Sequence, residues 1–110
     1  MTGWLVTSFW VQAYLTRLRL RDIQGFVVAH GDDNAGALLV KINTLDGQAA
    51  ALQRGFDVMS GARRWVELIK GDERDVDQTI TRQREFDPDL WVIEVEDRQG
   101  RHLLDEAGLE

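Results

Sequence analysis

Pro88, the only proline in the chain, stands inside REFDPDLWVIEVED, Arg84 to Asp97. A residue before proline is driven out of the helical region because the ring crowds its backbone. Asp87 must therefore end any helix that reaches it, and Pro88 cannot continue one. Beyond the proline the side chains alternate at once. Leu90, Val92, Glu94 and Glu96 take one face of a strand, and Trp91, Ile93 and Val95 take the other. The stretch is the corner where a helix hands over to a strand. Trp91, Ile93 and Val95 are expected to face the core, with Glu94 and Glu96 at solvent or the sheet rim. No low-complexity linker or internal repeat interrupts the 110 residues, which predicts a single domain, 1–110.

The helix that ends at this corner covers about Glu73 to Phe86. Its acids come early and its bases late, matching the helix dipole, and Asp72 is placed to cap it. Val76 and Ile80 form a thin apolar stripe. An earlier helix is predicted over about Ser8 to Arg21, capped by Thr7 or Ser8, with Val11, Tyr14, Leu15 and Leu18 on one buried face. Four strands lie between the helices: Phe26 to His30, Ala37 to Asn43, Gln48 to Arg54 and Arg63 to Lys70. GDDNAG, TLDG and GFDVMSG are the turns between them, and Gly47 is free to take a positive φ. The last strand is Leu90 to Asp97, and RHLL is a candidate for a short further strand. The order α-β-β-β-β-α-β with short turns predicts an α+β fold: an antiparallel sheet of about five strands, with both helices on one face.

Composition removes several chemistries. Without Cys there is no thiol nucleophile, Cys-ligated zinc or disulfide, which fits a reducing cytoplasm. A net charge of −6 repels phosphate backbones, so no nucleic-acid partner is expected. The N-terminal apolar run is broken by Thr7, Ser8, Gln12 and arginines and lacks the features of a signal peptide, so no membrane partner is expected and the location is taken as cytoplasmic. His30 and His102 show no metal-ligand spacing. Ser8 reads as a helix cap, and Ser60 in DVMSGA does not match a nucleophile elbow. HGDDNAG joins strand to strand, whereas a phosphate-cradling loop opens a helix. Arg63–Arg64 and Arg82–Arg84 read as surface charges, and Trp65 and Trp91 as core. A base-stacking surface would need exposed aromatics beside positive charge, a combination found only near Trp65. No cofactor is implied.

Two candidate sites remain. Asp87 and Asp89, with Asp32 and Asp33 from the GDDNAG loop, could gather carboxylates around a hard divalent cation. That is the alternative reading, a small metal-dependent enzyme, although Asp-Pro-Asp is also ordinary turn chemistry. The other candidate is a second stripe on the first helix: Phe9, Ala13, Thr16 and Leu20, nearly opposite the first. A helix with two apolar faces needs two partner surfaces. Either Trp4 to Val6 or the C-terminal tail folds over the stripe, or Phe9, Ala13 and Leu20 form a subunit interface. The leading expectation is a small cytoplasmic binding or interaction protein, not an enzyme, associating as a homodimer.

RQREFDPDLWVIEVEDRQGRHLLDE, Arg82 to Glu106, resembles the C-terminal signature of a family of short bacterial proteins carrying a domain of unknown function. FWVQAYLTRL and HGDDNAGALLVKIN are similar to that family's N-terminal half. The resemblance implies one small intact domain and carries over no activity and no catalytic residue.

Overall fold

The structure is a computed structural model that describes residues 6–109. Its elements are α1 (Thr7–Leu20), β1 (Gln24–Ala29), β2 (Leu38–Asn43), β3 (Gln48–Phe56), β4 (Arg63–Asp72), α2 (Glu73–Phe86) and β5 (Trp91–Glu96). The fold is α+β, with two helices and one five-stranded sheet in the order β1-β5-β2-β3-β4. The sheet is mixed. β1–β5, β2–β3 and β3–β4 pair antiparallel, but β2 and β5 run parallel. This corrects the purely antiparallel expectation. The GDDNAG loop does not close a hairpin, because β5 lies between β1 and β2. The crossover through β4 and α2 delivers β5 there, and parallel neighbours require such a long connection.

Burial explains why β5 takes a central place. Trp91, Ile93 and Val95 are buried on one side, and Leu90 and Val92 on the other. β2, LLVKIN, is buried along its whole length. Near-continuous apolar runs mark strands covered on both faces.

The helices accordingly lie on opposite faces, not on one. Trp10, Val11, Tyr14 and Leu18 of α1 share a core with Leu38, Val40, Ile42, Ile93 and Val95. Val76 and Ile80 of α2 pack on Leu39, Ala49, Ala51, Leu90 and Val92. The strand register of β5 follows its alternation, with Ile93 fully buried, but Glu94 is half-buried where solvent exposure was expected. RHLL forms no strand. Leu103, Leu104 and Leu109 fold into the α1 core instead.

The helix starts also differ from expectation. Val6 is the N-cap of α1 and no side chain caps it. Thr7 N–H donates to the Asn34 carbonyl and Ser8 N–H to the Asp33 carbonyl, so the GDDNAG loop satisfies the first turn. The Thr7 hydroxyl donates to the Gly36 carbonyl. Asp72 is the N-cap of α2 but makes no capping bond, and its carboxylate accepts from Gln48 Nε2. Asp87 ends α2 as the proline rule requires, with its N–H on the Gln83 carbonyl.

Candidate functional site

The four aspartates sit on two loops that touch through backbone. Asp32 N–H donates to the Asp89 carbonyl at 3.0 Å. A Cβ on Gly31 would lie 2.2 Å from that carbonyl oxygen, and one on Gly36 would lie 2.6 Å from it. Both glycines are therefore set by close backbone approach, in a loop that sequence marked only as a turn. The carboxylates themselves serve local turns. Asp32 Oδ2 accepts from the Asn34 and Ala35 N–H groups, and Asp87 Oδ1 accepts from Asp89 N–H. Asp33 Oδ1 lies 2.7 Å from His30 Nε2. Among the described residues no group of three or more His, Asp or Glu side chains is placed to hold a metal ion. His102 faces its own turn, where Nδ1 accepts from Leu104 N–H, and Ser60 Oγ accepts from Ala62 N–H.

Sequence reading missed a charged cluster under α2. Lys41 stands on the α2 face of β2, 4% exposed. Its Nζ donates to Glu73 Oε2 and Asp77 Oδ1, each at 2.7 Å, and lies 3.4 Å from Glu94 Oε1. Asn43 Nδ2 joins Glu73 to Glu94 at 3.1 Å each. Burial alone would lower the Lys41 pKa, but the hydrogen bonds to Asp77 and Glu73 and the nearby Glu94 charge raise it above the ordinary lysine value. A lysine so held is a fixed cation, unsuited to act as a base or amine nucleophile at neutral pH. It clamps the first turns of α2 to the sheet. Arg84 clamps the far end, donating to the Leu90 and His30 carbonyls. The one signal in the sequence was a lone lysine within an apolar strand.

The second stripe of α1 is uncovered by the described residues. Phe9 is 59% exposed and Leu20 78%, with Ala13 half-buried and Thr16 exposed between them. The C-terminal tail docks on a flank of the helix instead. Tyr14 Oη donates to the His102 carbonyl, Arg17 Nη1 to the Ala107 carbonyl, and Arg21 pairs with Glu106 at 2.8 Å. Trp4 and Leu5, part of the segment considered as a cover, lie outside the described residues, and Val6 is itself exposed. Beneath α1 runs β1, an edge strand. Gly25 admits the helix there, since its Cβ would meet Leu18 Cδ1 at 2.6 Å. Phe26, Val27 and Val28 of this strand are exposed. Trp10 is buried and adds nothing to that outer face.

No described helix is long and apolar enough to cross a membrane. Fold and surface define a small α+β domain with a mixed five-stranded sheet between two helices. The chain belongs to the DUF1491 family of proteins of unknown function, whose model matches residues 5–105. It is similar to a DUF1491 protein of Caulobacter crescentus in a crystal structure, at 37% identity and a TM-score of 0.84, covering 94% of this chain and 97% of that one. An NMR structure of a DUF1491 protein from the same organism gives 38% identity, a TM-score of 0.80, and coverage of 93% and 94%. The solution structure of Atu0922 from A. tumefaciens gives 25% identity, a TM-score of 0.72, and coverage of 84% and 85%. No curated protein matches the chain.

Proposed function

We propose that this protein acts by binding, as a small interaction module that pairs with a second copy of itself through the outer face of α1. The observation that carries the reading is the exposure of Phe9 and Leu20, three helical turns apart on a stripe without a charged residue. In a chain of net charge −6, a neutral stripe lets two copies approach without like charges meeting. Half-buried Ala13 at its centre leaves room for a facing helix. A stable interface buries about 1,200–2,000 Å² in total, more than one helix stripe supplies. Exposed Val27, which like Gly25 points to the α1 side of β1, adds area at the rim. A bulge between Val27 and Ala29 disturbs that edge, so side-chain packing rather than strand pairing makes the contact.

The test is Ala13→Glu, which sets like charges facing across a twofold axis. Light scattering is expected to show a dimer for the parent chain and a monomer for the variant, with unchanged circular dichroism because Val11, Tyr14 and Leu18 are untouched. A variant that keeps the parent's dimeric mass overturns the assignment to α1.

A further inference from the structure

A bulge in the β3–β4 ladder re-aims a charged side chain. Ala50 lies opposite Lys70 and Leu52 opposite Glu67, so Leu68 has no partner on β3. Residues opposite one another share a face, and Leu52 packs on the α1 core. Glu67 and Lys70, three apart in sequence, therefore point to the same side, whereas in an unbroken strand they would point apart. Leu68 and Ile69 both pack on the α2 core instead. Bulges are frequent beside functional sites, where they redirect a side chain.

Between this face and the turn that enters the C-terminal tail lies a cavity of about 210 Å³, with Ala50, Leu52, Glu67, Lys70 and His102 on its wall. A second hollow of about 430 Å³ shares Leu52, Glu67 and His102 and adds Trp65 and Leu104 as apolar wall, beside Arg63, Arg64 and Asp105. Glu67 and Lys70 are exposed, and neither makes an ion pair or a side-chain hydrogen bond among the described residues. His102 is held in place. Its carbonyl accepts from Tyr14 Oη at 2.8 Å, and its Nδ1 accepts from Leu104 N–H at 3.0 Å. An imidazole whose Nδ1 accepts carries its proton on Nε2. That N–H has no partner among the described residues.

We propose that this cavity binds a free α-amino acid with an apolar side chain. The wall offers one carboxylate, one ammonium and one N–H donor. A zwitterion matches all three, its ammonium on Glu67 and its carboxylate on Lys70 and His102 Nε2–H, through hydrogen bonds that charge strengthens. A ligand of single charge leaves Glu67 or Lys70 unmatched, and an anion also meets the chain's net charge of −6. The ligand's side chain enters the second hollow against Leu52, Trp65 and Leu104. A few placed polar groups beside an apolar wall are the usual make-up of a small-molecule site.

The test is a titration of the isotopically labelled full chain at low ionic strength, followed by amide NMR shifts. The probes are L-leucine, N-acetyl-L-leucine, L-leucinamide and glycine. L-leucine is expected to give saturable shifts confined to residues 48–52, 65–70 and 100–104. N-acetyl-L-leucine lacks the ammonium and L-leucinamide the carboxylate, so each is expected to bind at least about tenfold more weakly. Glycine, without the apolar side chain, is also expected to bind more weakly. Glu67→Gln is expected to weaken L-leucine binding and to remove its advantage over N-acetyl-L-leucine. Lys70→Gln is expected to remove its advantage over L-leucinamide. Both side chains are exposed, so each variant is expected to keep the amide spectrum of the folded parent. Arg82→Gln, on an exposed cation of α2 across the sheet, serves as the control and is expected to leave binding unchanged. No saturable shifts, equal binding of a blocked probe or of glycine, or unchanged preferences in either cavity variant overturns the proposal.

Discussion

Trp91 joins the two halves of the chain. It is buried beside Ile93 in the α1 core, and its Nε1 donates to the Asp32 carbonyl at 2.7 Å. Trp91→Ala removes a large buried ring and one of the two donors to that carbonyl, leaving only the Gly36 N–H. Urea unfolding is expected to show a loss of about 3–5 kcal/mol. Lys41 is the second decisive residue. Lys41→Ala leaves Glu73, Asp77 and Glu94 facing one another, although Glu73 and Asp77 are partly solvated. The expected loss is about 2–3 kcal/mol, below that for breaking a fully buried pair. The pH dependence follows in sign. The folded state holds the Lys41 proton more tightly than the unfolded state does, because the folded pKa is raised. The contribution is complete at neutral pH and fades as pH climbs above the ordinary lysine value of about 10.4. The stability gap between parent and Lys41→Ala is therefore expected to narrow between neutral pH and about pH 11. A gap that widens there contradicts the ion cluster. The four aspartates call for calorimetry with Mg²⁺, Mn²⁺ and Zn²⁺, where no saturable site tighter than millimolar is expected. A micromolar site lost in Asp87→Ala would put the carboxylate enzyme first.

At the scale of elements, local chemistry was legible and long-range pairing was not. Asp87 and Pro88 marked the end of α2, and acid-to-base ordering marked its direction. The TLDG turn, with Gly47 at φ +86°, was readable because a positive φ selects glycine. The place of β5 was not readable. Turn lengths suggest pairing between neighbours in sequence, but the α2 crossover and burial on both faces put β5 between β1 and β2. Once β5 and β2 are central, their second faces are covered as well, and alternation no longer separates core from solvent. That is why Glu94 was read as a surface residue and the Lys41 cluster went unseen. The α1 stripe was legible for the opposite reason. A helix periodicity shows directly which side chains share a face, and Phe9 and Leu20 remain exposed on it.

For the whole molecule, one side of the fold presents exposed apolar side chains on a helix. It carries the neutral stripe of α1 above the β1 edge. Buried Lys41 and half-buried Arg84 hold α2 on the other face, so the proposed self-association is placed on α1. Sedimentation equilibrium of the unmutated protein over a micromolar concentration series tests this most directly. The account predicts a species of twice the 12.6 kDa chain mass in reversible exchange with monomer. A single 12.6 kDa species at every concentration would contradict it.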